Sequence, residues 1–281
     1  MTYREALKQA AIQLGNAGVP DADYDARELL LYVTGMTITD WTMRSSERIK
    51  DAEADRYAEL IGRRAAREPL QQITGEQVFM GIPFRVTRDT LCPRQDTEVL
   101  VEHAIPFCKG AKVLDMCTGT GCIAVSLAKL SGAVSVTAAD ISEKALAVAK
   151  DNAARNGADV AFVLSNMFEM IDGTYDVIVS NPPYIPAIQM EGLMPEVRDY
   201  EPELALYGGE DGLTFYRILT AEGAKHLRRP GGPDEKGGYL IVEIGYDQGI
   251  TVPELFLANG FSDVKVIKDY AGNDRVVAGH L

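Results

Sequence analysis

The fold is indicated most directly by one stretch, Lys112-Val113-Leu114-Asp115-Met116-Cys117-Thr118-Gly119-Thr120-Gly121-Cys122-Ile123. Its apolar first part, residues 112–116, predicts a buried strand, and residues 124–130 have the apolar spacing of a helix. The glycines between them allow the backbone to turn sharply and to approach a ligand without a Cβ clash. A strand, a ligand-binding turn and a helix in this order are typical of an open α/β sheet.

The rest of the C-terminal half repeats this alternation. Further short apolar runs begin at Val134, Val160, Tyr175 and Gly238, with helical stretches between them. Strands separated by helices predict an α/β fold with a parallel, doubly wound sheet. The last two runs, residues 264–267 and 275–279, are close in the chain and predict an antiparallel hairpin edge, which brings the sheet to seven strands. Residues 229–238, rich in Gly and Pro, predict a surface loop before a central strand.

The N-terminal part has a different pattern. Apolar residues recur at helical spacing from Leu7 to Leu14 and again from Asp25, and a third helix fits Lys50 to Arg67, with Pro69 ending it. Two β-prone runs around residues 81–83 suggest a hairpin. We therefore expect a small helical bundle domain at residues 1–72, a β-hairpin linker at residues 73–92 and a catalytic domain at residues 93–281.

Charge restricts the class of substrate. The net charge is −13, with 10 basic and 12 acidic residues in residues 1–70 against 18 and 29 in residues 71–281. Binding to nucleic-acid phosphates depends on Lys and Arg, so an acidic catalytic domain favours a protein substrate over bare DNA or RNA.

Other bulk features exclude further classes. No long uninterrupted apolar segment or signal-like start is seen, so we expect a cytoplasmic protein with no membrane association. The four cysteines and three histidines lack the spacing of a zinc site, so neither a metal nor disulfides are expected.

The turn after the first strand is a candidate cofactor site. A dinucleotide fingerprint would need glycine at positions 117, 119 and 122, and two of these are cysteines. S-adenosylmethionine, which presents a carboxylate and a ribose instead of a pyrophosphate, fits the turn better. The candidate cofactor-binding residues here are Cys117, Thr118, Gly119, Thr120 and Gly121. A tight turn without a ligand is the alternative.

Three residues at later strand ends extend this site. Asp140 ends the second strand, where a carboxylate can accept hydrogen bonds from two ribose hydroxyls. Its alternative role is a helix N-cap, although Ser142 can fill that position. Asn166 and Met167 end the third strand, where they can meet the edge and face of an adenine ring, but both also suit an ordinary strand end.

The chemistry is indicated by Asn181-Pro182-Pro183-Tyr184, which follows the fourth strand. Two prolines hold the backbone extended. A planar amide or amino nitrogen is a poor nucleophile and must be oriented: the Asn181 carboxamide and the Pro182 carbonyl can accept its N–H groups, and Tyr184 can pack on its plane. Asn181, Pro182 and Tyr184 are therefore candidate catalytic residues, and Asn181 to Tyr184 a candidate substrate site. A rigid turn that merely ends the strand is the alternative.

These residues, in this order, resemble the release factor glutamine N5-methyltransferases, the PrmC/HemK family. The resemblance extends over nearly the whole chain and includes further segments: residues 72–75, 93–98, 201–213, 243–248 and 269–275. It implies a Rossmann-like methyltransferase sheet, S-adenosyl-L-methionine as cofactor and an N-terminal domain that helps bind peptide chain release factors. The implied reaction is methylation of the glutamine side chain in their Gly-Gly-Gln motif. Asn181 also joins the cofactor set on this reading.

Three positions depart from the family pattern: Cys117 replaces glycine, Asn166 replaces aspartate and Gln95 replaces proline. Residues 93–98 either cover the active site or only start a helix with Asp96 or Thr97 as its cap, and residues 201–213 are expected to shape the substrate wall. Two alternatives to the implied function remain open: an amino-methyltransferase acting on DNA adenine or RNA guanine, and a cofactor-binding scaffold without catalysis. We expect a monomer.

Overall fold

The computed structural model describes residues 1–232 and 236–281, and the chain forms two compact units. The first contains residues 1–76 and 194–200, and the second contains residues 77–193 and 201–281. The helices of residues 1–76 are α1 (Tyr3–Asn16), α2 (Ala22–Thr34), α3 (Ile38–Arg44), α4 (Asp51–Ala65) and α5 (Leu70–Thr74). The strands β1 (Glu76–Phe79) and β2 (Ile82–Arg85) then pair in a two-stranded sheet, as expected around residues 81–83.

The second unit is built on a sheet of β3 (Lys112–Met116), β4 (Ser135–Asp140), β5 (Ala161–Leu164), β6 (Val177–Ser180), β7 (Tyr239–Glu243), β8 (Ser262–Lys268) and β9 (Asp274–His280). The strand order is β5-β4-β3-β6-β7-β9-β8, and β9 is antiparallel to both of its neighbours, β7 and β8. The helices that follow α5 along the chain are α6 (Glu98–Cys108), α7 (Cys122–Leu130), α8 (Glu143–Arg155), α9 (Ala187–Met190), α10 (Pro195–Arg198), α11 (Thr214–Ala221), α12 (Gly223–His226) and α13 (Thr251–Ala258). The predicted seven-stranded, doubly wound sheet is confirmed.

The sheet is buried on both faces. Val113 and Leu114, neighbours on β3, are fully buried in two separate apolar clusters. A strand covered on both faces is apolar at successive positions, as Val113 and Leu114 are, whereas a strand with one exposed face alternates with polar residues.

The register brings the predicted site segments together. At the carboxyl end of β3, Met116 pairs with Ala139 of β4 on one side and Ser180 of β6 on the other, and Asp140 pairs with Leu164 of β5. The strand order reverses between β3 and β6, which is where doubly wound sheets bind ligands. The segments that follow these four strands therefore lie at one edge.

Some local details differ from expectation. Helix α3 was not expected, and Thr37 starts it with a reciprocal hydrogen-bond pair to Asp40. Helix α4 ends at Ala65, since Arg67 adopts a positive φ of 70°, and Pro69 caps α5 instead of ending α4. The predicted edge hairpin exists, but β9 lies between β7 and β8. The loop expected at residues 229–238 lies partly outside the described residues.

The helical unit has its own core, to which α1, α2, α4 and α5 contribute buried side chains. Residues 194–200, which include α10, belong to this unit although they are distant in sequence. Arg64 donates to Asp25 at 2.6 Å and to Glu196 at 2.9 Å, and Arg67 donates to Glu196 at 2.6 Å. Among the described helices, none has the length and hydropathy needed to cross a bilayer.

Candidate active site

An open cleft of about 1090 Å3, including the part open to solvent, lies at the carboxyl edge of the sheet. The sequence-predicted residues that line it are Cys117, Thr118, Gly119, Thr120, Asp140, Asn166, Met167, Asn181 and Pro183. The remaining three do not line it: Gly121 caps α7, Pro182 is buried, and Tyr184 packs against the apolar cluster around Leu114. The structure thus brings together three strand ends and the segment after β6.

The Asp140 carboxylate holds two loops. Its Oδ2 accepts from the Gly119 N–H and its Oδ1 from the Ser142 N–H, both at 2.9 Å. Ser142 is the N-cap of α8, and its hydroxyl accepts the capping hydrogen bond. The helix therefore does not use the Asp140 side chain as its N-cap. Each carboxylate oxygen can accept a second hydrogen bond, so Asp140 can still receive two hydroxyl groups from a ligand in the cleft.

Asp115, to which the sequence pattern alone assigns no role, holds the turn between β3 and α7 through hydrogen bonds. Its side chain is completely buried and accepts from the Thr118 hydroxyl and from the Ala124 N–H at the start of α7. Burial raises the pKa of Asp115 to about 7, although both hydrogen bonds oppose this shift. Because the Thr118 hydroxyl is directed to Asp115, Thr118 holds the turn in shape.

Two residues of the cleft are non-glycine residues in the left-handed region. Cys117 has φ of 63° and Met167 has φ of 48°, and their sulfur atoms are 3.9 Å apart. Backbone strain of this kind is stored where surrounding packing enforces it, often at binding sites. The positive φ explains why glycine suits position 117, and the contact with Met167 shows what the cysteine side chain does there.

Asn166 is polarised by its neighbour. Its Nδ2 donates to Glu169 Oε1 at 2.8 Å, and the residue is exposed at the cleft rim. The carboxamide oxygen accepts none of the hydrogen bonds found for Asn166 among the described residues, so it can accept one from a ligand. An acceptor at this place suits the exocyclic amino group of an adenine, which a donor would not.

The segment Asn181 to Tyr184 follows β6, and contacts with residues 206–208 fix the position of its C-terminal end. The Ile185 N–H donates to the Leu206 carbonyl, and the Gly208 N–H donates to the Ile185 carbonyl, both at 2.9 Å. A Cβ on Gly208 would lie 2.7 Å from the Tyr184 Cα. Residues 206–208 therefore contact the backbone at Tyr184 and Ile185. That residues 201–213 shape a substrate wall stays a prediction.

Residues 93–98 do more than start a helix. Pro93, Arg94 and Thr97 line the cleft, and Thr97, the residue before α6, makes no side-chain capping hydrogen bond. Its Oγ1 instead accepts from Asn181 Nδ2 at 3.2 Å. Of the two roles considered for this segment, contact with the active site is the one that the geometry favours.

Arg94 and Glu201 join two segments of the cleft wall. Arg94 Nη2 donates to Glu201 Oε2 at 2.6 Å, and the other oxygen of Glu201 accepts from the Cys92 N–H at 3.1 Å. Burial raises the pKa of the Glu201 carboxyl, and the nearby Arg94 charge opposes that shift. Glu201 belongs to one of the family-like segments, but its ion pair with Arg94 could not be read from either segment alone.

Comparison with known proteins places these features in a family. Residues 5–75 match the PrmC N-terminal domain, and residues 95–194 match the methyltransferase small domain. The release factor glutamine methyltransferase of Agrobacterium fabrum is 42% identical, with 98% of this chain and 96% of that protein covered. The protein of the same name from Cereibacter sphaeroides is 43% identical, with 100% and 99% covered. The chain belongs to the release factor glutamine methyltransferase family.

Solved methyltransferase structures share the fold of this family member. A methyltransferase from Pyrococcus furiosus superposes with a TM-score of 0.53 at 21% identity and covers 81% of this chain and 98% of its own. The 16S rRNA N2 G1207 methyltransferase of T. thermophilus, solved with AdoMet and guanosine, has a TM-score of 0.51 at 15% identity, with 73% and 49% covered. At these identities the likeness concerns the fold alone, and the resemblance to the PrmC/HemK family is confirmed by the full-length relatives.

Proposed function

We propose that this chain transfers the methyl group of S-adenosyl-L-methionine to the side-chain amide nitrogen (N5) of the glutamine in the Gly-Gly-Gln motif of peptide chain release factors. The observation that carries this proposal is the position of Asn181 beside the end of β3, in the cleft that Asp140 also lines, in a chain that matches release factor glutamine methyltransferases along its whole length.

The cleft residues fit the cofactor. Asp140 retains acceptor capacity for the two ribose hydroxyls, and Asn166 offers its carboxamide oxygen to the adenine amino group. No atom of the described residues beyond its chain neighbours lies within 4 Å of the position that a Cβ on Gly119 would take, so its missing side chain leaves space for a ligand. Residues 117–121, Asp140, Asn166 and Met167 would hold the cofactor, with Asn181 at the boundary with the substrate.

The cofactor supplies a methyl group on a positively charged sulfur, which leaves as a neutral thioether. The protein has to present the glutamine nitrogen. The Asn181 carboxamide oxygen, in the cleft lining, would accept one of its N–H groups. The Pro182 carbonyl would accept the other and Tyr184 would pack on the amide plane, and because neither residue lines the cleft in this structure, both contacts require the glutamine to enter deeper than the cleft surface. Held in this way, the glutamine nitrogen would have its lone pair directed to the methyl group, and the surplus N–H proton would pass to water. Positioning provides most of the acceleration in this scheme.

The two parts of the chain divide the work. In this proposal residues 1–72 help to bind the release factor and residues 93–281 carry the catalytic site. Residues 73–92 link these two domains. Bacterial-type release factors are cytoplasmic, so we place the reaction in the cytoplasm, without direct contact with nucleic acid or membrane and with the enzyme as a monomer. The acidic balance of residues 71–281 supports a protein acceptor.

Methyl transfer with labelled S-adenosylmethionine tests the proposal. Label is expected in a purified release factor and is expected to disappear when the Gly-Gly-Gln glutamine is replaced by alanine. Parallel reactions contain DNA and ribosomal RNA as acceptors. Label that persists in the substituted factor would overturn the glutamine assignment, and label in nucleic acid alone would favour an amino-methyltransferase acting on adenine or guanine.

A further inference from the structure

The carboxamide of Asn181 has two ends, and only one of them suits the acceptor. Its oxygen accepts a hydrogen bond from an N–H group, whereas its NH2 group would oppose one. The two ends have nearly the same shape, so the fit of the side chain in its pocket does not choose between them. The choice must come from the hydrogen bonds on the side of Asn181 away from the substrate.

Thr97 occupies that side. It is 2% exposed, and its Oγ1 lies 3.2 Å from Asn181 Nδ2. A threonine hydroxyl has one hydrogen and can either donate to an asparagine oxygen or accept from an asparagine NH2. Thr97 alone therefore fits both orientations of Asn181.

Glu243 removes this ambiguity. It is the last residue of β7 and is 2% exposed, and because Val242 pairs with Ser180 of β6, Glu243 and Asn181 follow paired residues at the same sheet edge. The Thr97 side chain lies close enough to lower the pKa of the Glu243 carboxyl. Above about pH 7 the Glu243 carboxyl is ionised and can only accept, so the Thr97 hydrogen is directed to Glu243. The Thr97 oxygen is then left as an acceptor, and only the NH2 end of Asn181 can face it.

The surroundings of Glu243 fix its position. The Tyr216 hydroxyl donates to its main-chain carbonyl at 2.9 Å. On β9, the strand paired with β7, Glu243 pairs with Val276, which follows Arg275. Arg275 and Arg94 stabilise the negative charge, Asp96 opposes it, and burial raises the pKa of Glu243 to about 7. Its Oε2 is buried and has no hydrogen-bond partner among the described residues. A buried carboxylate with an unpartnered oxygen costs stability, which points to a role in the site.

We propose that Thr97 and Glu243 are positioning residues that set the Asn181 carboxamide with its oxygen toward the acceptor nitrogen. This inference rests on the proposed function, in which Asn181 accepts a hydrogen bond from the glutamine amide. The proposal assigns neither residue a contact with the substrate or the cofactor methyl group, although Thr97 lines the cleft. Both act through the orientation of one side chain.

Kinetics of Thr97 variants test the proposal. Thr97→Val keeps the shape and removes the hydroxyl, and we expect kcat to fall roughly 10- to 100-fold with the Kd for S-adenosylmethionine changed less than about twofold. Thr97→Ser keeps the hydroxyl and should restore most of kcat. Thr220→Val is the matched control, since Thr220 is equally buried in the same unit but donates to the Tyr216 carbonyl within α11. The control should retain the kcat of the parent protein.

A double variant identifies the route of the effect. In an Asn181→Ala background, Thr97→Val should cause no further loss of kcat, because there is no carboxamide left to orient. An equal loss in both backgrounds, or an unchanged kcat in the single variant, would overturn the proposal. If the parent protein labels nucleic acid instead of release factor, the proposed acceptor is wrong, and the same comparison is made with the acceptor that is labelled.

A second measurement needs no acceptor. The Asn181 side-chain NH2 signals in a 15N-labelled sample, assigned by their loss in Asn181→Ala, report the hydrogen bond to Thr97. Both Thr97→Val and Glu243→Leu should shift these signals and speed exchange of their hydrogens, whereas Thr220→Val should not. Signals that are the same in all three variants would show that Thr97 and Glu243 do not hold the carboxamide.

Discussion

At the scale of single residues, two asparagines at the cleft have opposite expected roles. Asn181→Ala should lower kcat about 100-fold or more while S-adenosylmethionine binding is mostly retained, because the lost acceptor is the one proposed to hold the glutamine. Asn166→Ala should raise the Kd for S-adenosylmethionine with little change in kcat at saturation, because its oxygen would meet only the adenine. Calorimetric binding and single-turnover rates on both variants separate the two effects. Equal losses in affinity for both variants would contradict these assignments.

Glu243 also makes stability depend on pH. Its pKa is raised by burial to about 7 from an ordinary value of 4.5, so the folded protein retains a proton that the unfolded chain has lost. Its contribution to the free energy of unfolding is greatest below the unfolded pKa and decreases as pH rises toward 7. As the pH rises from 5 to 8, the free energy of unfolding of Glu243→Gln should therefore increase relative to that of the parent, by at most about 3 kcal/mol.

Denaturant unfolding at several pH values measures this difference. The same substitution at Glu59, an exposed residue of α4, is the matched control for loss of a carboxylate. A difference between Glu243→Gln and the parent that stays constant across the range would show that the carboxyl does not hold its proton in the folded state.

The residues of the cleft that the sequence predicts are those whose role is local. Asp140 and Gly119 follow strands that their own apolar neighbours reveal, and the register then places them at one edge. Thr97 and Glu243 could not be identified in this way. Each is separated by many residues from Asn181. The pairing of β7 with β6 brings Glu243 close to Asn181, and a hydrogen bond joins Thr97 to Asn181. The positive φ of Cys117 likewise depends on packing that no short window contains.

At the scale of elements, the segment after β6 depends on the close approach of residues 206–208. Gly208→Ala would place a Cβ 2.7 Å from the Tyr184 Cα and 2.8 Å from its carbonyl carbon, so the backbone must move. We expect a loss of about 1–3 kcal/mol in the free energy of unfolding, as for other overpacked sites, and a lower kcat because Asn181 and Pro182 shift with the segment.

A glycine without such a neighbour provides the control. Gly62 lies inside α4, and nothing lies within 4 Å of the position that a Cβ would take there. Gly62→Ala should raise stability by about 0.4–1 kcal/mol, since alanine favours the helix and restricts the unfolded chain. Thermal unfolding and kcat of both variants test the pair, and a Gly208→Ala protein with normal turnover would show that the contact does not fix the substrate segment.

Strands and helices could be predicted where the sequence pattern was periodic. Their ends and neighbours could not be predicted where they depended on a few residues. The alternation of strands and helices gave the sheet, because each strand covered on both faces is an apolar run. The end of α4 and the start of α5 depend on Arg67 entering the left-handed region, which an arginine does not signal. The position of β9 between β7 and β8 depends on strand pairing, which adjacency in the chain does not determine.

At the scale of the molecule, Glu196 completes the helical unit from a distant part of the chain. Its carboxylate accepts from Arg64 and Arg67, whose side chains are 6% and 19% exposed. Glu196→Gln should lower the free energy of unfolding of that unit by about 3 kcal/mol, because buried guanidinium groups lose a charged partner. Glu59→Gln, which disrupts the exposed pair with Arg56, should cost less than about 1 kcal/mol.

Hydrogen exchange followed by mass spectrometry locates this effect. Faster exchange is expected in α2 and α4 for Glu196→Gln, and the sheet of the second unit should keep its protection. Equal behaviour of the Glu196 and Glu59 variants would show that the buried pairs contribute no more than surface pairs.

The path of the chain limits how this protein can be divided. It leaves the helical unit after Glu76, returns at Met194 and leaves again after Tyr200. A gene fragment that ends at the hairpin therefore encodes an incomplete unit, in which Arg64 and Arg67 lack Glu196. In a chimaera of two relatives, the helical unit is inherited whole only when residues 1–76 and 194–200 come from the same parent. The two compact units are therefore interleaved in the gene.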